Sequence, residues 1–241
     1  MQMWAIASGI EGNLAAYEAV VADLRKSRQE VENFYLLGDT IGPKVESNQL
    51  IKRIQQPRKG EPTPLVCQGW WEEQILILHA LGRTGSPTEL IDRYGIDMTK
   101  TLWDAIDSTT LEWVRTLEFE FVELDCFLIH GSSLSVSDEL TPSIDPIHAI
   151  DRLSRMDVNQ LFCGRSGLAF EYRIESGSLN SQVQTLDNLT APTPTILSNR
   201  RIIGVGSVGR VEGKASYTLY HPESNKLAFK TVRYGTKKGF G

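Results

Sequence analysis

The first third of the chain alternates short apolar runs with stretches in which apolar residues recur at the spacing of one helix face. The runs predict strands and the periodic stretches predict helices. The three pairs are residues 3–8 with 14–26, residues 33–37 with 46–55, and residues 65–67 with 71–81. Strands that alternate with helices in this way predict a parallel sheet with a ligand site at the carboxyl ends of its strands.

The pattern changes in the middle of the chain. Residues 87–117 read as helical, and we interpret the region 86–117 as a helical insertion or cap. Strand-like runs then predominate, at residues 119–124, 127–129, 161–163, 169–174, 202–205, 215–220 and 227–232. The second half of the chain is therefore expected to contribute a second sheet.

Composition and charge narrow the class of protein. The 241 residues suit one domain, spanning 1–241, and 41% hydrophobic with 23% charged residues is typical of a globular chain. A net charge of −5 gives no basic field, so we expect neither a nucleic-acid nor a membrane partner. The sequence shows no signal peptide and no apolar run approaching the ~18 residues of a membrane span, which predicts a cytoplasmic location. Cys67, Cys126 and Cys163 are expected to be buried, reduced thiols.

Glycine-rich polar motifs follow the predicted strands in a fixed order. They read SGIEGN at 8–13, GDTIG at 38–42, GWWEE at 69–73, HGS at 130–132, GRSG at 164–167 and GVGSVG at 204–209. Together these motifs resemble those of the calcineurin-like metallophosphoesterases, in the bacterial branch that includes the diadenosine-tetraphosphatase-like proteins. The resemblance covers nearly the whole chain. It implies an α/β fold in which a two-sheet β-sandwich is flanked by helices.

Enzymes of this family hold two divalent cations that activate a water for attack on phosphorus. By position, the resemblance implies that most of their metal ligands are replaced here. Asp39 and His130 keep the family's residue types. The other ligand and acid positions carry Gly9 and Glu11 for aspartate and histidine, Trp70 and Trp71 for asparagine and histidine, and Arg165 and Gly167 for two histidines.

We therefore interpret the chain as a non-catalytic relative that binds a small molecule or a protein partner, with no cofactor and no assigned catalytic residue. The expected ligand-binding cleft consists of Glu11, Asn13, Asp39, Trp70, Trp71, His130 and Arg165. Within it, we expect Arg165 to replace the metal charge by pairing with Asp39, with Glu11 nearby, since a buried carboxylate needs a partner. The alternative is that Arg165 points to solvent.

A second reading of the same residues is a divergent phosphoesterase. Asp39, His130 and Glu11 would then surround a single manganese, zinc or iron ion, and Arg165 would hold the phosphate. His130 and Arg165 would be its catalytic residues. Metal retention and activity on a phosphodiester would distinguish the two readings.

Three further motifs have ordinary explanations. Trp70 and Trp71 are expected to fill the space left by metal ligands, although a stacking platform for an aromatic ligand is the alternative. The match to a dinucleotide fingerprint at 204–209 lacks the helix that such a motif requires, because a strand is predicted next. Glu72 and Glu73 suit the positive end of a helix dipole better than an acid–base pair.

Overall fold

The computed structural model describes residues 3–27, 30–44, 46–82, 86–174, 181–185, 195–196 and 200–235. Within these residues the chain forms two six-stranded mixed sheets, numbered in chain order and arranged as β3-β2-β1-β11-β12-β9 and β4-β5-β6-β10-β7-β8. Six helices flank the sheets, so the predicted α/β sandwich is confirmed. None of the helices in the described part of the chain has the length and apolar character needed to span a membrane.

The first sheet begins with the three predicted strand–helix units. Its strands are β1 Trp4–Ala7, β2 Asn33–Leu37, β3 Pro64–Cys67, β9 Thr195–Ile196, β11 Lys214–His221 and β12 Lys226–Arg233. β1, β2 and β3 run parallel, whereas β11 pairs antiparallel with β1 and β12 with β11.

The second sheet consists of β4 Glu120–Glu123, β5 Cys126–Ile129, β6 Gln160–Cys163, β7 Ala169–Ile174, β8 Ser181–Thr185 and β10 Arg200–Val205. β5, β6 and β10 run parallel, and the outer pairs are antiparallel. The loops that follow the parallel strands of both sheets meet at the carboxyl ends of these strands, where the candidate site lies.

The helices are α1 Leu14–Lys26, α2 Ser47–Gln55, α3 Trp70–Leu78, α4 Thr88–Ala105, α5 Ser108–Val114 and α6 Pro146–Ser154. Asn13 caps α1, because its side chain accepts a hydrogen bond from the N–H of Ala16. Non-helical backbone at Gly95, with φ 81°, interrupts α4. The described helices of the predicted cap therefore form several pieces rather than one continuous rod.

Alternation of side chains along the strands fixes the layers. On β1, Trp4 and Ile6 face the second sheet, while Ala5 and Ala7 lie in the cluster that α1 and α2 cover. Both faces of this strand are buried, which explains why it reads as a continuous apolar run rather than an alternating one. The three cysteines are buried and free.

The parallel arrangement predicted for the three strand–helix units is confirmed for β1, β2 and β3. One topological expectation was wrong: β11 and β12 join this sheet, which makes it mixed, instead of the second sheet, because the pattern of a strand does not identify its neighbour. Helix α6 was not predicted, although Asp145 caps it and Pro146 occupies its first turn, which are standard start signals. Residues 188–190, which match a glycosylation triplet, and the basic pair at 237–238 lie outside the described residues.

Candidate functional site

Hydrogen bonds between two backbone loops build the floor of the site. The loops after β1 and β2 are joined by bonds from the N–H of Glu11 to the carbonyl of Asp39 at 2.8 Å and from the N–H of Gly12 to that of Thr40 at 2.9 Å. Glu11 and Asp39 both adopt left-handed backbone with φ 51°. Such conformations cost energy in non-glycine residues and persist where surrounding contacts fix them.

The buried carboxylate of Glu72 holds the loop after β2 in place. It accepts hydrogen bonds from the N–H groups of Gly69, Asp39, Thr40 and Ile41 and from the Thr40 hydroxyl. Burial, reinforced by the charge of Asp39, raises the pKa of Glu72. This role adds to the expected one at the start of α3, where Glu72 accepts from the N-cap residue Gly69, because the side chain also reaches across the strand ends and positions Asp39.

Asp39 is fully buried and lies at the centre of the site. Its Oδ1 accepts the Trp71 N–H at 2.9 Å, and its Oδ2 accepts Nη2 of Arg210 at 2.9 Å. Nε2 of His130 lies 3.2 Å from the same Oδ2. Burial would raise the pKa of Asp39, but the contacts with His130 and Arg210 and the Trp71 N–H together hold this pKa well below its usual range.

Arg210 is the principal cation of the site and was missed in the sequence. Each of its three guanidinium nitrogens has a partner: Nε donates to Glu11 Oε1 at 2.6 Å, Nη1 to the Arg165 carbonyl at 2.8 Å, and Nη2 to Asp39. Burial lowers the pKa of Arg210, but the carboxylates of Asp39 and Glu11 outweigh it and raise that pKa. The sequence feature that could have identified Arg210 is its position directly after the motif at 204–209.

The loop after β10 places Arg210 by docking on the loop after β1. The N–H of Val208 donates to the carbonyl of Ser8 at 2.9 Å, and that of Gly209 to Gly9 at 2.8 Å. Gly209 must be small, because a Cβ there would lie 1.8 Å from the carbonyl oxygen of Ile10. The motif at 204–209 is followed by strand β11, in agreement with the rejection of a dinucleotide fingerprint.

Two glycines enclose Arg210, Gly9 and Gly167, at positions for which the resemblance implied metal ligands in the family. A Cβ at Gly9 would lie 3.3 Å from Nε of Arg210, and a Cβ at Gly167 would lie 2.6 Å from its Nη1. Both glycines adopt positive φ, at 60° and 70°. The absence of side chains at Gly9 and Gly167 therefore leaves the space that the arginine side chain uses.

Arg165 lies beside Asp39 but is not its closest cation. Its Nη1 is 3.9 Å from Asp39 Oδ2, which is within ion-pair distance as expected, but Arg210 approaches the same oxygen more closely, to 2.9 Å. Arg165 is buried rather than directed to solvent, and its guanidinium carbon lies 4.6 Å from the centre of the Trp70 ring. We call Glu11, Asp39, His130, Arg165 and Arg210 the strand-end cluster.

Trp70 and Trp71 are both buried, with ring centres 4.9 Å apart in an edge-to-face arrangement. Nε1 of Trp70 donates to Glu89 of α4 at 2.7 Å, and Tyr94 packs against both indoles. The rings are packed between α4 and the strand ends.

His130 is completely buried at the end of β5. Its Nδ1 lies 2.8 Å from the carbonyl oxygen of Leu37, which can only accept, so Nδ1 donates. This leaves Nε2 directed at Asp39. Among the described residues, no group of three or more histidine, cysteine, aspartate or glutamate side chains is arranged to hold a metal ion.

A cavity of about 840 Å³ lies next to the strand-end cluster. Asn13, Lys44, Arg210 and Tyr234 are among its lining residues. Asn13 is the one residue of the predicted cleft that lines this cavity, and its Nδ2 also donates to the Tyr234 hydroxyl at 2.9 Å. The other predicted cleft residues gather around Asp39 and Trp70.

Comparison with known proteins identifies the fold. At the level of sequence, neither a protein-family model nor a curated protein matches the chain. Among solved structures, a metallophosphoesterase from Sphaerobacter thermophilus aligns with a TM-score of 0.71 and 20% identity over 97% of this chain and 89% of its own. A hypothetical protein from Pyrococcus horikoshii OT3 aligns with a TM-score of 0.71 and 21% identity, over 98% and 90%. The chain thus has the fold of the metallophosphoesterases.

Proposed function

We propose that this chain is a metal-independent, non-catalytic protein of the metallophosphoesterase fold, which binds a ligand or a protein partner through the cleft at the strand ends. The observation that carries the proposal is the position of Arg210. Its guanidinium contacts both carboxylates of the strand-end cluster and fills the space beside Gly9 and Gly167.

The oxygen and nitrogen atoms around Asp39 that could act as metal ligands do not fit a pair of divalent cations. Zinc and manganese sites normally use at least three protein ligands with free lone pairs. Here Oε1 of Glu11 and Oδ2 of Asp39 accept from Arg210, while Oδ1 of Asp39 accepts from the Trp71 backbone. A guanidinium is permanently charged and cannot coordinate a metal, so it supplies positive charge but no Lewis acid.

Two positions that serve hydrolysis in the family also argue against it here. Trp71 stands at the position of the family's proton-donating histidine, and its buried indole packs against Trp70 and Tyr94. His130 is held by the Leu37 carbonyl on one side and faces Asp39 on the other. These contacts favour a binding role, to which the adjacent cavity of about 840 Å³ is suited.

Elemental analysis tests the proposal. The protein is incubated with manganese or zinc, freed of excess metal and compared with an Asp39→Asn variant, which removes the central charge but keeps the size of the side chain. We expect no metal in the wild type above the level in the variant. One or more ions per chain, retained by the wild type and lost from Asp39→Asn, would overturn the proposal and favour the phosphoesterase reading.

A further inference from the structure

One edge of the Arg165 guanidinium has no hydrogen-bond acceptor in the part of the chain that the structure describes. Nε and Nη2 are buried and have no hydrogen-bond acceptor among the described residues, and the whole residue is 4% exposed. Only Nη1 faces a carboxylate, at 3.9 Å from Asp39. Buried donors almost always find an acceptor, so an arginine that buries two without one requires an explanation.

The free edge has the geometry of an oxyanion receptor. The N–H groups on Nε and Nη2 point in nearly the same direction and match two oxygen atoms of a carboxylate or phosphate. Trp70 orients the plane of the Arg165 guanidinium, since its ring centre lies 4.6 Å from the guanidinium carbon. Arg93 of α4 lies over the same ring at 5.8 Å, which adds a second positive charge nearby.

We propose that Arg165 binds an oxyanion group, a phosphate or a carboxylate, through Nε and Nη2 and without a metal ion. The inference rests on the proposed function, in which Arg210 rather than a cation neutralises Asp39. Arg165 follows parallel strand β6, and the carboxyl ends of such strands are where α/β folds bind ligands. Each guanidinium nitrogen of Arg210 already donates a hydrogen bond, whereas Nε and Nη2 of Arg165 have no acceptor among the described residues.

The ligand reaches this edge by displacing the start of α4. Glu89 accepts from Trp70 Nε1 at 2.7 Å, and the Tyr94 ring centre lies 5.6 Å from that of Trp70, so this segment covers the site. It ends at Gly95, where non-helical backbone separates it from the rest of α4 and a Cβ would meet nothing within 4 Å. Residues 88–94 therefore form a separate piece of α4, which would have to shift although Leu90 is buried in the core and Glu89 also accepts a hydrogen bond from Ser137.

Arg201 offers a matched control. It also buries Nε and Nη2 without an acceptor among the described residues. However, it lies near the amino end of β10, so it is at the end of the strands opposite to the strand-end cluster, and its guanidinium carbon is 5.7 Å from the ring centre of Tyr220. An unpaired edge in that position faces the interior of the sandwich and is not available to a ligand.

Calorimetric titration of the chelator-treated full chain with inorganic phosphate tests the proposal. Acetate in a parallel titration distinguishes a carboxylate site from a phosphate site. We expect one oxyanion bound per chain, with affinity lowered about tenfold or more by Arg165→Lys, which keeps the charge but removes the paired donors. Arg201→Lys should bind like the wild type. The Arg165 Nε–H resonance in a ¹H–¹⁵N spectrum is identified by its absence in Arg165→Lys. In the wild type, this resonance should shift when phosphate is added.

The proposal is overturned if neither anion binds saturably to folded wild-type protein, or if Arg165→Lys binds as tightly as the wild type. Two failures remain distinguishable. Absence of binding in a protein that also retains no metal contradicts the oxyanion site alone. Phosphate binding that depends on added manganese contradicts both this inference and the proposed function.

Discussion

Two groups of buried charges in this molecule are paired to very different degrees. In the strand-end cluster, both Asp39 oxygens accept hydrogen bonds and every nitrogen of Arg210 donates one. The second group, which we call the interior cluster, consists of Glu171, Arg173 and Arg201 between the sheets. There Arg201 contacts Glu171 through Nη1 alone, at 3.3 Å.

The pKa values reflect the same difference. Burial disfavours charge in both places, but the carboxylates around Arg210 reverse the effect and raise its pKa. Around Arg201 the single carboxylate does not compensate, and burial lowers its pKa to about 10. Removal of one partner from the well-paired strand-end cluster should therefore cost more than removal of the poorly paired Arg201, so the two clusters should respond differently to substitution.

Truncation of Asp39 should have the largest effect. Asp39→Ala leaves Arg210 and the Trp71 N–H without their central acceptor, so we expect a loss of about 3–5 kcal/mol in the free energy of unfolding. Urea denaturation followed by tryptophan fluorescence measures this loss. Asp39→Asn is the control, because asparagine also tolerates the left-handed backbone and keeps an acceptor. A loss below about 1 kcal/mol in Asp39→Ala would mean that the cluster does not hold the strand ends together.

A decrease in pH should weaken the strand-end cluster selectively. Because the folded-state pKa of Asp39 is lowered, its contribution to stability is complete above the unfolded pKa of about 4 and is lost as the pH falls toward the folded value. Between about pH 6 and pH 3, the wild type should lose more unfolding free energy than Asp39→Asn. Parallel curves for the two proteins in urea titrations would contradict the assigned shift.

The sequence predicted the elements that place this cluster better than it predicted the cluster itself. Asp39 and His130 could be located because they follow apolar runs in a recognisable order. Arg210 could not, since its partners Glu11 and Asp39 are distant in the sequence and no local pattern indicates which arginine will reach them.

The partners of Glu72 and the order of strands in the sheets also could not be predicted from local sequence. A glutamate in the first turn of a helix usually interacts with that helix, and its bonds to Thr40 and Ile41 depend on how two strand ends meet. Likewise, β11 reads as an ordinary strand, while its pairing with β1 is decided by packing of the whole sandwich. Local pattern specifies elements, whereas long-range contacts specify partners.

Gly167→Ala should show how tightly Arg210 is held. The new Cβ would lie 2.6 Å from Nη1 and displace the bond to the Arg165 carbonyl. Gly60→Ala is the control, because Gly60 also has positive φ but its Cβ would meet nothing within 4 Å. We expect Gly167→Ala to lose about 1–3 kcal/mol more than Gly60→Ala, the usual cost of overpacking. Equal losses in thermal denaturation would indicate that Arg210 shifts freely.

The interior cluster should give the smallest effect. Arg201→Met removes a charge that burial already disfavours, and Glu171 keeps a partner, since Nη2 of Arg173 lies 2.9 Å from its Oε2. Methionine also fills the long, apolar space beside Tyr220 without unpaired donors. We expect a change of less than about 1 kcal/mol in either direction, because replacing a poorly paired buried charge by an apolar side chain of similar length is often neutral. A loss of unfolding free energy as large as that in Asp39→Ala would mean that Arg201 stabilises the sandwich as strongly as Asp39 stabilises the strand ends. The contrast between the two clusters would then disappear.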